Sequence, residues 1–253
     1  VTFRGNLPLE NFTDMPDGIR KRDIQNIISN HLKILNSFPK PQLLDIHAVN
    51  TIRIIKSYFR NLHGTSVYIR HTFILTIVES IFMTTLSKNS VIHVFNCSLV
   101  VNVTNVKLSN NINKGHSGAI HLHKVNKFMA TNTSFNKNTA DGNGGGIFAR
   151  EIRDLEIYKC RFVENKIIGC GGAIFAMNFI NFISYNCTYM KNDVGGSGGA
   201  LCLHTGALSY ISYSLFSSNK LEPSSNKDFY IKGGAVYMKF VNKSIHYQLT
   251  LDS

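Results

Sequence analysis

Apolar and polar residues alternate along most of this chain in short runs, as in Ile174-Phe175-Ala176 and Ile183-Ser184-Tyr185, and the runs are cut by glycine and asparagine. Alternation with a period of two predicts strands, and the interruptions predict bends. Between residues 115 and 240 the pattern itself repeats. A small or glycine pair, a small residue and an aliphatic recur as Ser117-Gly118-Ala119-Ile120, Gly144-Gly145-Gly146-Ile147, Gly171-Gly172-Ala173-Ile174, Gly198-Gly199-Ala200-Leu201 and Gly233-Gly234-Ala235-Val236. The first three steps are 27 residues each and the last is 35. A second phrase, aromatic-x-x-Asn, recurs as Phe135/Asn138, Phe162/Asn165, Tyr189/Asn192 and Phe216/Asn219, again 27 apart. Each Asn precedes its glycine by seven residues in the first three units and by fifteen in the fourth. The loop at 221–232 therefore carries an eight-residue insertion.

A fixed period of this length marks a stack of equivalent units, none of which buries its apolar face alone. Helical repeats would show a 3.6-residue period and few glycines. Short strands and bends predict instead an all-β fold, a single-stranded parallel β-helix, with about 27 residues per rung and rungs stacked at about 4.8 Å. Phe135, Phe162, Tyr189 and Phe216 are expected to lie over one another inside the coil. Ile120, Ile147, Ile174, Leu201 and Val236 are expected to form a second column. The repeated Asn is expected at a bend, in left-handed backbone, bonding neighbouring rungs through its amide. The glycines supply positive φ and close backbone approach at the next corner.

The paired GGA-[ILV] and F-x-x-N phrases resemble the repeats of chlamydial polymorphic outer-membrane proteins and related right-handed β-helix surface proteins. The likeness covers the regular rungs, about residues 108–240, with Ser117 in place of a glycine, Gly146 of an alanine and Tyr189 of a phenylalanine. It implies a right-handed coil, in line with the crossover rule for parallel strands. It also implies adhesion and surface display rather than one chemistry.

The rest of the chain is less regular. Residues 1–42 read as a cap-like segment before a β-helix over 43–253. Within that segment, 17–35 spaces Ile19, Ile24, Ile27, Ile28, Leu32 and Leu35 in a broadly helical way, after Pro16 and before Pro39 and Pro41. A helical or irregular cap there would protect the open end of the coil. From 43 to 111 the repeat is degraded: Leu108/Asn111 lies one period before Phe135/Asn138, and Val91-Ile92-His93-Val94 one period before Gly118-Ala119-Ile120-His121. Seven or eight rungs result, a rod of about 35–40 Å. The most apolar stretch, 73–83, is too short to span a bilayer and contains Glu79. A chain that starts at Val1 reads as a processed or truncated product. Phe3-x-x-Asn6 and Leu251 fit the aromatic phrase at the two ends, so one end could be donated to a neighbouring copy as a strand. The plain alternative is a truncation or proteolytic boundary with a chance match.

Charge and chemistry sharpen the picture only in part. Hydrophobic residues make up 43% and charged residues 17%, a globular balance. A net charge of +12 and a pI near 9.5 favour anionic partners such as acidic glycans. The basic residues are scattered, with Arg20-Lys21-Arg22 the only run, which argues against nucleic acid. Of five cysteines, Cys160 and Cys187 are one period apart and should stack in adjacent rungs, as a disulfide or as two buried thiols. No C-x-x-C or H-x-x-x-H pair indicates a metal, and His121 and His123 are expected on opposite sides of a strand. No cofactor is implied. Polysaccharide lyases and hydrolases need converging carboxylates. Asp141 and Asp193 differ in repeat phase, while Glu151, Asp154 and Glu156 alternate with bases, so no catalytic residue is nominated. N-x-[ST] sequons stand at Asn11, Asn96, Asn102, Asn132, Asn186 and Asn242, with Asn132 and Asn186 in one repeat position. Phe148, Phe175 and Tyr237 follow the repeated aliphatic and are expected to point outward, either as an exposed contact stripe or under the chain's own loops. With Val1, Phe3, Leu249 and Leu251 they are the candidate assembly contacts. The function that follows is an extracellular structural protein, a surface or fibre subunit that binds its own copies or other surface proteins. The alternatives are an adhesin for anionic glycans and a polysaccharide lyase.

Overall fold

Every element of the computed structural model, which describes residues 2–3, 24–27, 44–221, 233–239 and 248–252, is a strand. The strands form three parallel sheets that run the length of a coil of about seven turns. The first has eight strands of two or three residues, among them Lys107–Ser109, Ser134–Asn136, Arg161–Val163, Thr188–Met190 and Leu215–Ser217. The second has six two-residue strands, from Leu86–Ser87 to Lys220–Leu221. The third has eleven strands and includes the long ones, Val67–Val78, Ile92–Thr104, Ile120–Thr131, Ile147–Tyr158, Ile174–Tyr185 and Leu201–Ser212.

In the regular rungs each residue pairs with its equivalent one period on, as Phe135 with Phe162 and Ile147 with Ile174. Identical side chains therefore stack. Phe59, Phe82, Leu108, Phe135, Phe162 and Tyr189 are fully buried in one column. The rings of Phe135 and Phe162 are parallel at 4.5 Å, and those of Phe162 and Tyr189 stack at 5.2 Å. Tyr189 fits because its hydroxyl reaches the Ser184 Oγ at 2.8 Å, so the extra polar atom is satisfied. Val67, Ile92, Ile120, Ile147, Ile174 and Leu201 make the aliphatic column.

The corners show how each rung closes. The repeated Asn bonds its neighbours as expected: Asn138 donates both its backbone N–H and its side-chain Nδ2 to the Asn165 Oδ1 at 3.0 Å, and Nδ2 also donates to the Leu108 carbonyl. Asn111, Asn165 and Asn192 do the same one rung apart. The left-handed residue, however, is the one before it: Lys137, Glu164, Lys191 and Ser218 have φ of 54–55°. That residue is exposed and free to vary, whereas the buried Asn is fixed by its three bonds. The first glycine of each pair carries φ of +66 to +73°, with Ser117 at 60° in the equivalent place. At the second, a Cβ on Gly145 or Gly172 would collide with the carbonyl oxygen of the next rung.

Three further expectations are corrected. His93 pairs with His121, one residue off the 27-residue register, because Ile92–Thr104 is 13 residues long and carries a register shift against Ile120–Thr131. Of 17–35, the described part is Ile24–Ile27, which is a strand in parallel with Thr51–Ile55 rather than a helix. Thr2–Phe3 extends the aromatic sheet with Phe3 opposite Phe59, but Leu251 pairs with Ile211 in the long sheet and not with the aromatic column. Leu249, in the same strand, pairs with Ser209. Val1, all of the 221–232 insertion but Leu221, Asn11 and Asn242 lie outside the described residues.

Candidate functional site

Each long strand turns one face to the core and the other outward, as the two-residue period requires. On the outward face the register builds a ladder of Tyr68, His93, His121, Phe148, Phe175, Cys202 and Tyr237. The ladder is not an exposed stripe. Phe148 is 6% exposed, Phe175 5% and Cys202 0%, and they form a small core of their own with Cys170, Met177 and Tyr237. The cover comes from the glycine-rich turns. The residue just before the left-handed corner folds over the ladder residue 32 positions later: His116 stacks on Phe148 at 4.7 Å, and Cys170 packs on Cys202. Hydrogen bonds tie successive turns together. The Asn143 Oδ1 accepts from the Cys170 N–H at 2.7 Å, and the Cys170 Sγ accepts from the Ser197 N–H at 3.3 Å.

Toward the N-terminal rungs the ladder is made of histidine. His93 and His121 stack at 4.3 Å, and His123, two residues on, shares their outward face instead of opposing it. Burial, with the nearby His123, lowers the His93 pKa to about 4. Burial, with His93, His116 and His123 around it, lowers His121 to about 3. Both rings are therefore neutral at pH 7.

Toward the C-terminal rungs the ladder holds sulfur. Cys170 is held down to about 6 by the Cys202 thiol that donates to it, burial opposing, with the Ser197 N–H adding to the effect. Cys202 is pushed far up by the same contact and by burial, and its Sγ lies 3.3 Å from the His204 Nε2. Burial and the Lys239 charge keep His204 below the ordinary histidine value. The sequence pattern alone did not single out these three residues. The signal was present in the 32-residue offset between turn and ladder, but it needs the turn to fold back before it can be read. Cys160 and Cys187, the pair the period does single out, are buried free thiols at stacked corners, with Sγ donating to the Tyr158 and Tyr185 carbonyls. Burial raises the pKa of both.

The carboxylates do not converge: Glu151 and Glu156 lie five residues apart in the strand Ile147–Tyr158, and the pairs are Glu156 with Lys127 at 2.7 Å, Asp193 with Lys166 at 3.1 Å, Glu164 with Lys137 at 3.5 Å and Glu151 with Arg150 at 3.3 Å. Among the described residues no group of three His, Cys, Asp or Glu is placed to hold a metal, and no helix is long and apolar enough to cross a membrane. Asn96, Asn132 and Asn186 are exposed at left-handed corners, whereas Asn102 is half-buried in a strand.

Residues 132–150 match the Chlamydia polymorphic membrane protein repeat. No curated protein and no solved structure matches the chain. The matched segment contains Phe135, Asn138 and Gly144-Gly145-Gly146-Ile147, so the likeness rests on the residues that form the aromatic column, the Asn ladder and the left-handed corner. The chain is a parallel β-helix repeat protein resembling polymorphic membrane proteins, a family of the cell surface and outer membrane.

Proposed function

We propose that the protein is an extracellular structural subunit, displayed at a cell surface, that meets copies of itself or another surface protein through the apolar corner of its C-terminal rungs. The observation that carries this reading is the exposure there of Tyr213 and Leu215, each 57%, beside Tyr185, Tyr210 and Leu208. Tyr185 and Tyr213 meet edge to face at 5.4 Å, so the corner is a connected surface. A rigid patch of aromatic side chains is what a contact surface needs. A non-enzymatic role is part of the same reading, supported by carboxylates such as Glu156, Glu164 and Asp193 that face a base rather than converge. Sedimentation of the native protein and of a Tyr213→Ser/Leu215→Ser variant tests it. Association of the native protein that the variant lacks supports self-association through this corner, and a monomeric native protein overturns self-association.

A glycan adhesin is the second reading. A shallow groove lined by Glu156, Asn181, Ile183, Leu208 and Tyr210 offers an aromatic ring beside polar side chains, the pairing that sugar rings favour. The excess of positive charge favours acidic chains. Binding to heparin-like or pectic oligosaccharides that weakens steeply with salt supports this reading, and release of unsaturated sugar ends would mark a lyase instead.

A further inference from the structure

Cys170, Cys202 and His204 meet at one point of the outward ladder, where a glycine-flanked turn of one rung lies on the strand of the next. Cys170 is partly accessible, on a turn between Gly169 and Gly171, and its sulfur accepts from the Ser197 N–H at 3.3 Å and from the Cys202 thiol. Cys202 is fully buried directly beneath it, and the His204 Nε2 is 3.3 Å from its sulfur. His204 also meets Phe175 edge to face at 5.3 Å and Tyr237 at 5.5 Å, which fixes the ring against the thiol. Cys160 and Cys187 share none of this: both are buried at a corner, and their thiols donate to backbone carbonyls without a base beside them.

We propose that Cys170 and Cys202 are a redox-modified pair, with Cys170 the attacking thiolate, Cys202 the resolving thiol and His204 its base, and that small disulfides of the oxidised-glutathione class convert them into a clasp between two rungs. The Cys170 sulfur attacks one sulfur of the small disulfide. An S–S bond forms to Cys170, the original S–S bond breaks, and the first small thiolate leaves and takes a proton from water. The Cys202 thiol then gives its proton to the His204 Nε2 and attacks the Cys170 sulfur, and the second small thiolate leaves and takes that proton. Two protein thiols are oxidised to one disulfide while one small disulfide is reduced to two thiols. The attacking group is suited to its part, since its pKa near 6 keeps it mostly ionised at pH 7. Once joined, the two sulfurs tie residues 32 apart in sequence, which removes freedom from the unfolded chain and fixes the turn that covers the ladder.

The test uses the whole protein, folded and reduced, incubated with oxidised glutathione and read by intact mass and peptide mapping. Native protein should lose two hydrogens with a Cys170–Cys202 link. A Cys202→Ser variant should stop at one glutathione on Cys170, and His204→Asn should slow closure about tenfold so that the same adduct accumulates. Alkylation of Cys170 by iodoacetamide should proceed about tenfold faster at pH 7 than that of an unfolded-chain cysteine, with its midpoint near pH 6. The oxidised protein should melt about 5 °C higher than the reduced one. A native protein whose Cys170 is no more reactive than its four other cysteines overturns the proposal, whatever the variants do. So does oxidation that links Cys160 to Cys187 or joins two chains.

Discussion

Asn165 shows what one repeated residue does. Its side chain accepts two hydrogen bonds from Asn138 and donates to the Phe135 carbonyl and the Asn192 Oδ1, all inside the coil. Asn165→Ala leaves several buried groups unpaired, each worth about 1–3 kcal/mol. Urea denaturation should therefore show a loss of about 3–5 kcal/mol, and a loss below about 1 kcal/mol would contradict the ladder. The glycines divide in the same way. Gly145→Ala drives a Cβ into the Gly172 carbonyl oxygen and should lower the melting point sharply, whereas Gly234→Ala meets nothing within 4 Å and should be neutral or slightly stabilising. At this scale the sequence showed that Asn and Gly belong at corners, because 27-residue spacing makes them visible. It did not show that Lys137 or Glu164, rather than the Asn, carries the left-handed backbone. Exposed residues in such corners vary freely and leave no pattern.

At the scale of the turn and the strand beneath it, the outward column behaves as a second core. Phe148→Ala should destabilise the fold by about 3 kcal/mol, as a buried ring does; an unchanged melting point would return Phe148 to the surface. The histidine part of the column makes stability fall with acid. Below the unfolded value of 6.5 the unfolded chain binds protons that folded His93 and His121 refuse until about pH 4 and 3. Stability is thus full above pH 6.5 and lost as pH falls, by up to about 1.4 kcal/mol per pH unit for each histidine. His121→Phe, which copies the residue in the next rung, should flatten that acid limb in urea titrations at pH 4 to 7. The outward direction of Phe148 and Phe175 was legible from their place in the strand. Whether they are exposed or covered by the chain's own loops stays open in the sequence, because the cover depends on His116 and Cys170 folding back from turns whose path only φ near +60 to +73° determines.

For the whole molecule, the regular rungs were legible because one residue-for-residue period sets every pairing from Lys107–Ser109 to Leu215–Ser217. The first rungs were harder. Phe59 pairs with Phe82 after only 23 residues, and the extra residue in Ile92–Thr104 shifts the phase by one, so no single period runs through them. The exposed corner of Tyr185, Tyr213 and Leu215 was not legible either, since it joins residues at different repeat positions and carries no periodic signal.

Stacking itself is open to a direct distance measurement. Tyr58, Lys107 and Leu215 occupy one register position of the aromatic sheet, with Lys107 four rungs and Tyr58 six rungs from Leu215. Nitroxide pairs at 107/215 and 58/215, in a Cys170→Ser background, should give narrow distributions whose centres differ by about 10 Å, from base separations of about 19 and 29 Å. Equal centres, or broad distributions that follow the number of intervening residues, would contradict the coil.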